Sequence, residues 1–342
     1  MTDKIVFPAE WYPQSAVQLT FPHCRTDWAP YINEASECFA AIAREIAKRE
    51  KLLIVCADEE DVRRRIGDVG LDNIVFREIP SNDTWARDHG GITVVINGKP
   101  TVYDFVFNGW GMKFAANYDN LITRTLAGQD VFCDGVDVIN LQPLVLEGGS
   151  LETDGRGTLL ATVECLASVN RNEYLNKEQL EYHLKELFGL ERILWLNNGY
   201  LAGDDTDSHI DTLARFCDEK TIAYVQCSDD SDEHYDELRA MEDELKAFRT
   251  VDGEPYRLVA LPMADEIVWE GERLPATYAN FLIINGAVLV PFYIGEKDEM
   301  ARKILQTAFP DREIVGIDCR PLIRQHGSLH CATMQYPEGV IR

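Results

Sequence analysis

An α/β or α+β fold is predicted by three features of the sequence. Short runs rich in Val, Ile, Phe and Tyr recur along the chain, as expected of half-buried or buried strands. Helical periodicity interrupts them in fewer places. The two alternate in a way that hints at about five units of roughly 60–70 residues, although self-similarity is too weak to define a repeat from pattern alone. The 342 residues are 46% hydrophobic and 27% charged, which supplies a sizeable core and excludes a disordered chain. No low-complexity segment, charge block or Pro/Gly/Ser linker marks a boundary, so residues 1–342 read as a single domain.

Strand runs fall at 16–21, 52–56, 74–79, 92–96 and 101–107, then at 158–163, 193–197, 221–227, 281–284, 287–291 and 313–317. Helical spacing is clearest over 34–51, where Phe39, Ile42, Ile46 and Ala47 recur every three or four residues. Further helices are predicted at 177–188, 235–248 and 297–309.

Asp plus Glu number 58 and Lys plus Arg 33, a net charge of −25. Such a chain is a poor partner for nucleic acid or an anionic membrane surface, and its field draws in cations. No basic head followed by an apolar run opens the sequence, and no stretch approaches the roughly 18 apolar residues of a membrane span. The nine cysteines are irregularly spaced and lack a CxxC pair, which argues against a disulfide framework or a Cys-type zinc site. A reducing cytoplasm is the expected compartment, with most thiols buried as small hydrophobes. P-loop, GxGxxG, HExxH and GxSxG signatures are absent.

Four segments place polar chemistry among strand residues. Residues 82–91 (NDTWARDHGG) join acids, Trp85 and paired glycines in a strand-end loop. Glu147 follows an apolar run, where a partly buried carboxylate must find a partner or shift its pKa. Residues 203–216 hold His209 and Asp211 two apart, on one face if the segment is a strand, beside an acidic loop. That pair suits acid/base work, and the spacing departs from an EF-hand calcium loop. Residues 325–335 set Cys331 after a glycine-containing turn, with His326, Ser328 and Thr333 nearby; in a strand, His330 would point away from Cys331.

Taken in order, these segments resemble the agmatine deiminase family of the guanidine-modifying (pentein) superfamily, which also holds arginine and peptidylarginine deiminases. The resemblance rests on Phe7–Trp11, Trp85–Asp88, Phe107–Gly111, Glu147–Gly149, Glu164–Leu166, Asn170–Asn172, Gly203–Phe216 and His330–Thr333. Departures occur at His89-Gly90-Gly91, Trp110-Gly111-Met112, His326-Gly327-Ser328 and Thr333-Met334-Gln335. The family fold it implies is an α/β propeller of five ββαβ-like units around a pseudo-fivefold axis, with a central active site. The implied activity is hydrolysis of agmatine to N-carbamoylputrescine and ammonia, a step toward putrescine, without metal or organic cofactor. A peptidylarginine or free-arginine deiminase is the alternative.

A guanidinium is flat, cationic and weakly electrophilic, so carboxylates must grip it and a thiolate must attack it. By the resemblance, Cys331 is the nucleophile, Asp88 and Asp211 hold the guanidinium, His209 is general acid and then base, and Glu147 positions His209. Trp85 and Trp110 line the substrate pocket. The implied partner is a small cationic guanidine, and a homo-oligomer stays open. Two other classes compete on the residues alone. An acyl-transferring thiol hydrolase needs an oxyanion hole, which clustered acids oppose. A non-enzymatic cation binder would not need Cys331.

Overall fold

The computed structural model describes residues 3–68 and 71–342. Among the described residues the strands form five sheets of three or four strands and one small hairpin, Val268–Trp269 with Glu272–Arg273. The first sheet runs Thr333–Pro337, Gln14–Thr20, Lys51–Cys56, Ile74–Glu78. The second runs Ile5–Val6, Ile92–Ile96, Lys99–Val106, Asp137–Val145. The third orders Arg192–Leu196, Thr158–Thr162, Glu152–Thr153; the fourth Ala214–Asp218, Thr221–Gln226, Arg257–Pro262; the fifth Leu282–Ile284, Ala287–Phe292, Glu313–Asp318.

Every sheet mixes one or more antiparallel pairs with at least one parallel pair. A parallel pair needs a crossover, and a helix supplies it each time. Ile32–Ala47 leads into Lys51–Cys56, Lys177–Phe188 into Arg192–Leu196, Tyr235–Ala247 into Arg257–Pro262, and Glu296–Ala308 into Glu313–Asp318. Ile32–Ala47 buries Phe39, Ile42 and Ile46 on the expected stripe, but it stops at Ala47 because Lys51 already pairs as a strand. An Asn176/Gln179 capping box starts Lys177–Phe188, and Gly189 ends it at φ +64. A Cβ on Gly189 would lie 2.2 Å from the Ile5 carbonyl oxygen, so only glycine lets the helix end against that strand.

The predicted runs fall on observed elements with shifts of a few residues at some ends. Strands Asp137–Val145, Ala214–Asp218, Arg257–Pro262 and Thr333–Pro337 and helix Glu59–Ile66 were not predicted. Asp137–Val145 reads DVINLQPLV; its apolar residues fall at 138, 139, 141, 144 and 145, neither alternating nor continuous, so only its end, in the apolar run before Glu147, reads as a strand. Seven of the nine cysteines are buried and all are free thiols. No helix among the described residues is long and apolar enough to cross a membrane.

The layout matters for chemistry because of the segments between sheets. Residues 79–91, 146–151, 197–213, 263–281 and 319–332 each carry the chain from one sheet to the next, the last returning to the first sheet. Asp88, Glu147, His209, Asp211 and Cys331 all lie on these connectors.

Candidate active site

Asp88 sits in the one-turn helix Ala86–His89 and is buried. Its Oδ1 accepts the Gly149 N–H at 3.0 Å and its Oδ2 the Trp110 indole N–H at 2.9 Å. Gly149 permits this approach: a Cβ there would lie 2.5 Å from His209 Nδ1 and 2.8 Å from Asp88 Oδ1. Trp110 reaches Asp88 from a left-handed turn in which Gly109, Trp110, Gly111 and Met112 have φ of 70°, 55°, 82° and 67°. Two of the four are not glycine, so the turn is strained by about 1–2 kcal/mol at each of those residues.

Glu147 lies two residues past Asp137–Val145 and is fully buried, where partial burial was expected. Its Oε2 accepts from Arg171 Nε at 2.7 Å, from His209 Nε2 at 3.1 Å and from the Cys165 thiol at 3.8 Å. Burial alone would raise its pKa, but the bonds and charges of His209 and Arg171 hold it below the usual carboxylate range. For His209, burial favours the neutral ring, and Asp88, Cys165 and Glu147 outweigh it, so the imidazole is raised well above 6.5. Glu147, Cys165 and His209 have the spacing of three metal ligands. Arg171 already neutralises the carboxylate there, which makes the cluster a poor cation site.

His209 and Asp211 are not on a strand. His209 precedes the one-turn helix Ile210–Leu213, which contains Asp211. Their side chains therefore diverge: His209 turns to Glu147 and Asp88, and Asp211 turns to Cys331 and His330. Cys331 and His330 are in a turn before Thr333–Pro337 rather than in the strand itself. Both consequently reach Asp211 Oδ2, His330 Nδ1 at 2.7 Å and Cys331 Sγ at 3.8 Å, against the expectation that His330 points away.

Sequence reasoning missed Asn280, from the connector between the fourth and fifth sheets. Its Oδ1 accepts the backbone N–H of His330 at 2.9 Å and of Cys331 at 3.2 Å, and lies 3.4 Å from Cys331 Sγ; its Nδ2 donates to the Asp211 carbonyl at 3.2 Å. All five connectors thus contribute. Burial, Asp211 and Asp88 push the Cys331 thiol well above its usual pKa, against weaker help from Ser328 and Asn280. Burial, with Asp211 and Glu147 nearby, raises Asp88 to about 6 despite the His209 charge. Asp211 stays below its usual range because His330, His209 and Arg215 overcome the burial cost.

A cleft of about 600 Å³, counting its open mouth, reaches this cluster. Trp85, Asp88, Trp110 and Cys331 line it, with Asp205 and His326 toward the loops. Gly327 lies against Trp85, where a Cβ would come within 2.4 Å of the ring.

Fold likeness gives the class first. A dimethylarginine dimethylaminohydrolase from Pseudomonas aeruginosa has a TM-score of 0.50 at 13% identity, covering 95% of this chain and 100% of that one, which shows a shared fold. The chain belongs to the Porphyromonas-type peptidyl-arginine deiminase family, whose model matches residues 6–337. A Porphyromonas gingivalis structure described as a candidate arginine deiminase is 57% identical, with a TM-score of 0.96, covering 99% of this chain and 100% of that one. A C. jejuni agmatine deiminase variant with substrate bound is 39% identical, with a TM-score of 0.92 and coverage of 99% and 98%. The agmatine deiminase of Ectopseudomonas mendocina is 33% identical over 98% of this chain and 96% of its own.

Proposed function

We propose that this chain is an agmatine deiminase, a hydrolase of the guanidino C–N bond that yields N-carbamoylputrescine and ammonia. One observation carries the reading. Asp88 and Asp211 are buried beside Cys331, and among the described residues neither is paired with Arg or Lys. Two buried acids next to a thiol suit a planar cation, to which carboxylates offer paired hydrogen bonds. The cleft lining adds Asp27, Asp83 and Asp205 and includes no Arg or Lys. An α-carboxylate would meet repulsion there, whereas a terminal ammonium would not, so the lining favours agmatine over arginine.

The chemistry follows from the charges. A bound guanidinium cancels the Asp88 and Asp211 fields that keep Cys331 protonated, and the thiol ionises, its proton passing to solvent through the open cleft. Sγ attacks the guanidinium carbon, forming a C–S bond and a tetrahedral adduct. His209, held protonated by Asp88 and Glu147, gives its proton to the departing nitrogen, and the C–N bond breaks to release ammonia. The S-alkylthiouronium is then attacked by water, whose proton His209 accepts. Collapse breaks the C–S bond, leaving the carbamoyl product and Cys331. Trp85 and Trp110 flank the alkyl chain, and Trp110 also fixes Asp88. No step calls for a cofactor.

The five mixed sheets and their connectors support five ββαβ-like units about a pseudo-fivefold axis, in one domain spanning 1–342, and the free thiols support a cytoplasmic location. The test is ammonia release from agmatine, free arginine and a blocked peptidyl-arginine side by side. Agmatine is expected to exceed the others by about 100-fold or more in kcat/KM. Faster turnover of either arginine substrate reverses the assignment.

A further inference from the structure

Behind Cys331 runs a row of buried groups that the mechanism above does not use. Glu152 Oε2 accepts from Arg215 Nε at 2.7 Å, Arg215 Nη2 donates to Glu10 Oε2 at 2.6 Å, and Glu10 Oε2 lies 2.7 Å from His330 Nε2. His330 Nδ1 is 2.7 Å from Asp211 Oδ2, the oxygen nearest Cys331 Sγ. The row alternates acid and base from the third sheet to the nucleophile, and each member is at most 6% exposed. Glu10 is fixed further by the Ile283 N–H at 2.6 Å. Asp211 therefore spends Oδ2 on His330, while its buried Oδ1 has no protein partner among the described residues.

We infer that His330 is a positioning residue: anchored by Glu10, it binds one oxygen of Asp211 so that the other faces the substrate guanidinium beside Cys331. The inference rests on the deiminase reading. A short bond to one oxygen sets the carboxylate plane, and misplacing such a group by about 1 Å costs on the order of 100-fold in rate. The groups facing His330 are Asp211 and Glu10, which favour its protonation, and Arg215 and Arg87, which with burial oppose it. Those facing Asp211 are His330, His209, Arg215, Arg87, the Asp88 carboxylate and the Cys331 thiol. His330 makes the shortest bond to its side chain, 2.7 Å against 3.8 Å for the Cys331 thiol, and so helps keep Asp211 ionised.

The amide nitrogen of Asn falls near Nδ1 of a histidine and that of Gln near Nε2. His330→Asn thus keeps a donor for Asp211 and loses Glu10, while His330→Gln does the reverse. For His330→Gln, kcat/KM for agmatine is expected to fall about 100-fold. His330→Asn should recover to within about tenfold of the parent. A structural filler would give equal losses in the two variants, and that result overturns the inference. If the Gln variant does not fold, His330→Asn decides alone: a loss beyond about 100-fold overturns it, and a loss within tenfold supports it. A parent enzyme silent toward agmatine refutes the substrate instead, and the two variants are then read with whichever arginine compound is turned over.

Discussion

Glu10 and Asp88 are both buried carboxylates in the same region, and the protein treats them oppositely. Glu10 faces Arg215 at 2.6 Å and His330 at 2.7 Å, with Arg87 at 3.9 Å, and these bases hold it far below the usual range despite its burial. Asp88 has two neutral N–H donors and His209 at 3.6 Å, and burial raises it to about 6. The first arrangement is satisfied internally and contributes to holding the connectors in place. The second leaves negative charge partly uncompensated, which costs stability and gives an incoming cation something to bind. A protein that paired Asp88 with a resident Arg would be more stable and would lack the site.

This contrast is sharpened by substitutions that separate activity from folding. The largest effect is expected for Cys331→Ala: turnover falls by at least about 10⁴-fold, while the urea midpoint stays near that of the parent. Measurable single-turnover ammonia release at the parent rate would remove Cys331 as nucleophile. Next, Arg215→Ala leaves Glu10 and Glu152 buried without their shared cation and is expected to destabilise by about 3–5 kcal/mol in denaturant melts. An unchanged midpoint would mean that the rear row is not structural.

Smaller is the pH response of Asp88. Its pKa near 6 means that it gains a proton as pH falls through 6, so kcat/KM should drop about tenfold per unit below that point. Stability moves the other way. A carboxyl whose folded pKa is raised from 3.8 binds its proton more tightly when folded, so this group's contribution is greatest below pH 4 and is lost as pH rises through 6. Asp88→Asn should flatten the stability change over that window and abolish tight guanidinium capture, measured by melts and agmatine titration. The smallest effect belongs to a partly exposed ion pair outside the cleft lining: Lys113 pairs with Asp207 at 2.6 Å while 35% exposed, and Lys113→Ala should cost no more than about 1 kcal/mol.

The sequence carried the motif-bearing residues of the site because their types are unusual for strand ends: a Trp and acids in 82–91, an acid after LVL, a His two before an Asp. It did not carry their partners. Asn280 lies in an unremarkable stretch (TYANF), and it matters only because folding brings it 51 residues along the chain to Cys331. Arg171 has no role legible in the sequence beyond its place in Asn170–Asn172, and it is buried against Glu147 and Asp207. The strand reading of 209–211 failed because a single helical turn has no room to show periodicity. Most of strand Asp137–Val145 was missed because its apolar residues neither alternate nor run together until the stretch before Glu147.

The strand pairing that follows Cys331 has a kinetic meaning. Thr333 pairs with Leu19 and Pro337 with Gln14, and His330 meets Glu10 across 320 residues of sequence. Closing so long a loop brings its reward late, after the local hairpins and crossover helices have formed. Partly assembled chains can then possess most of their sheets and still lack a working sulfur. Recovery of turnover during refolding would time that final closure, and a burst of secondary structure without ammonia release would mark the interval before it.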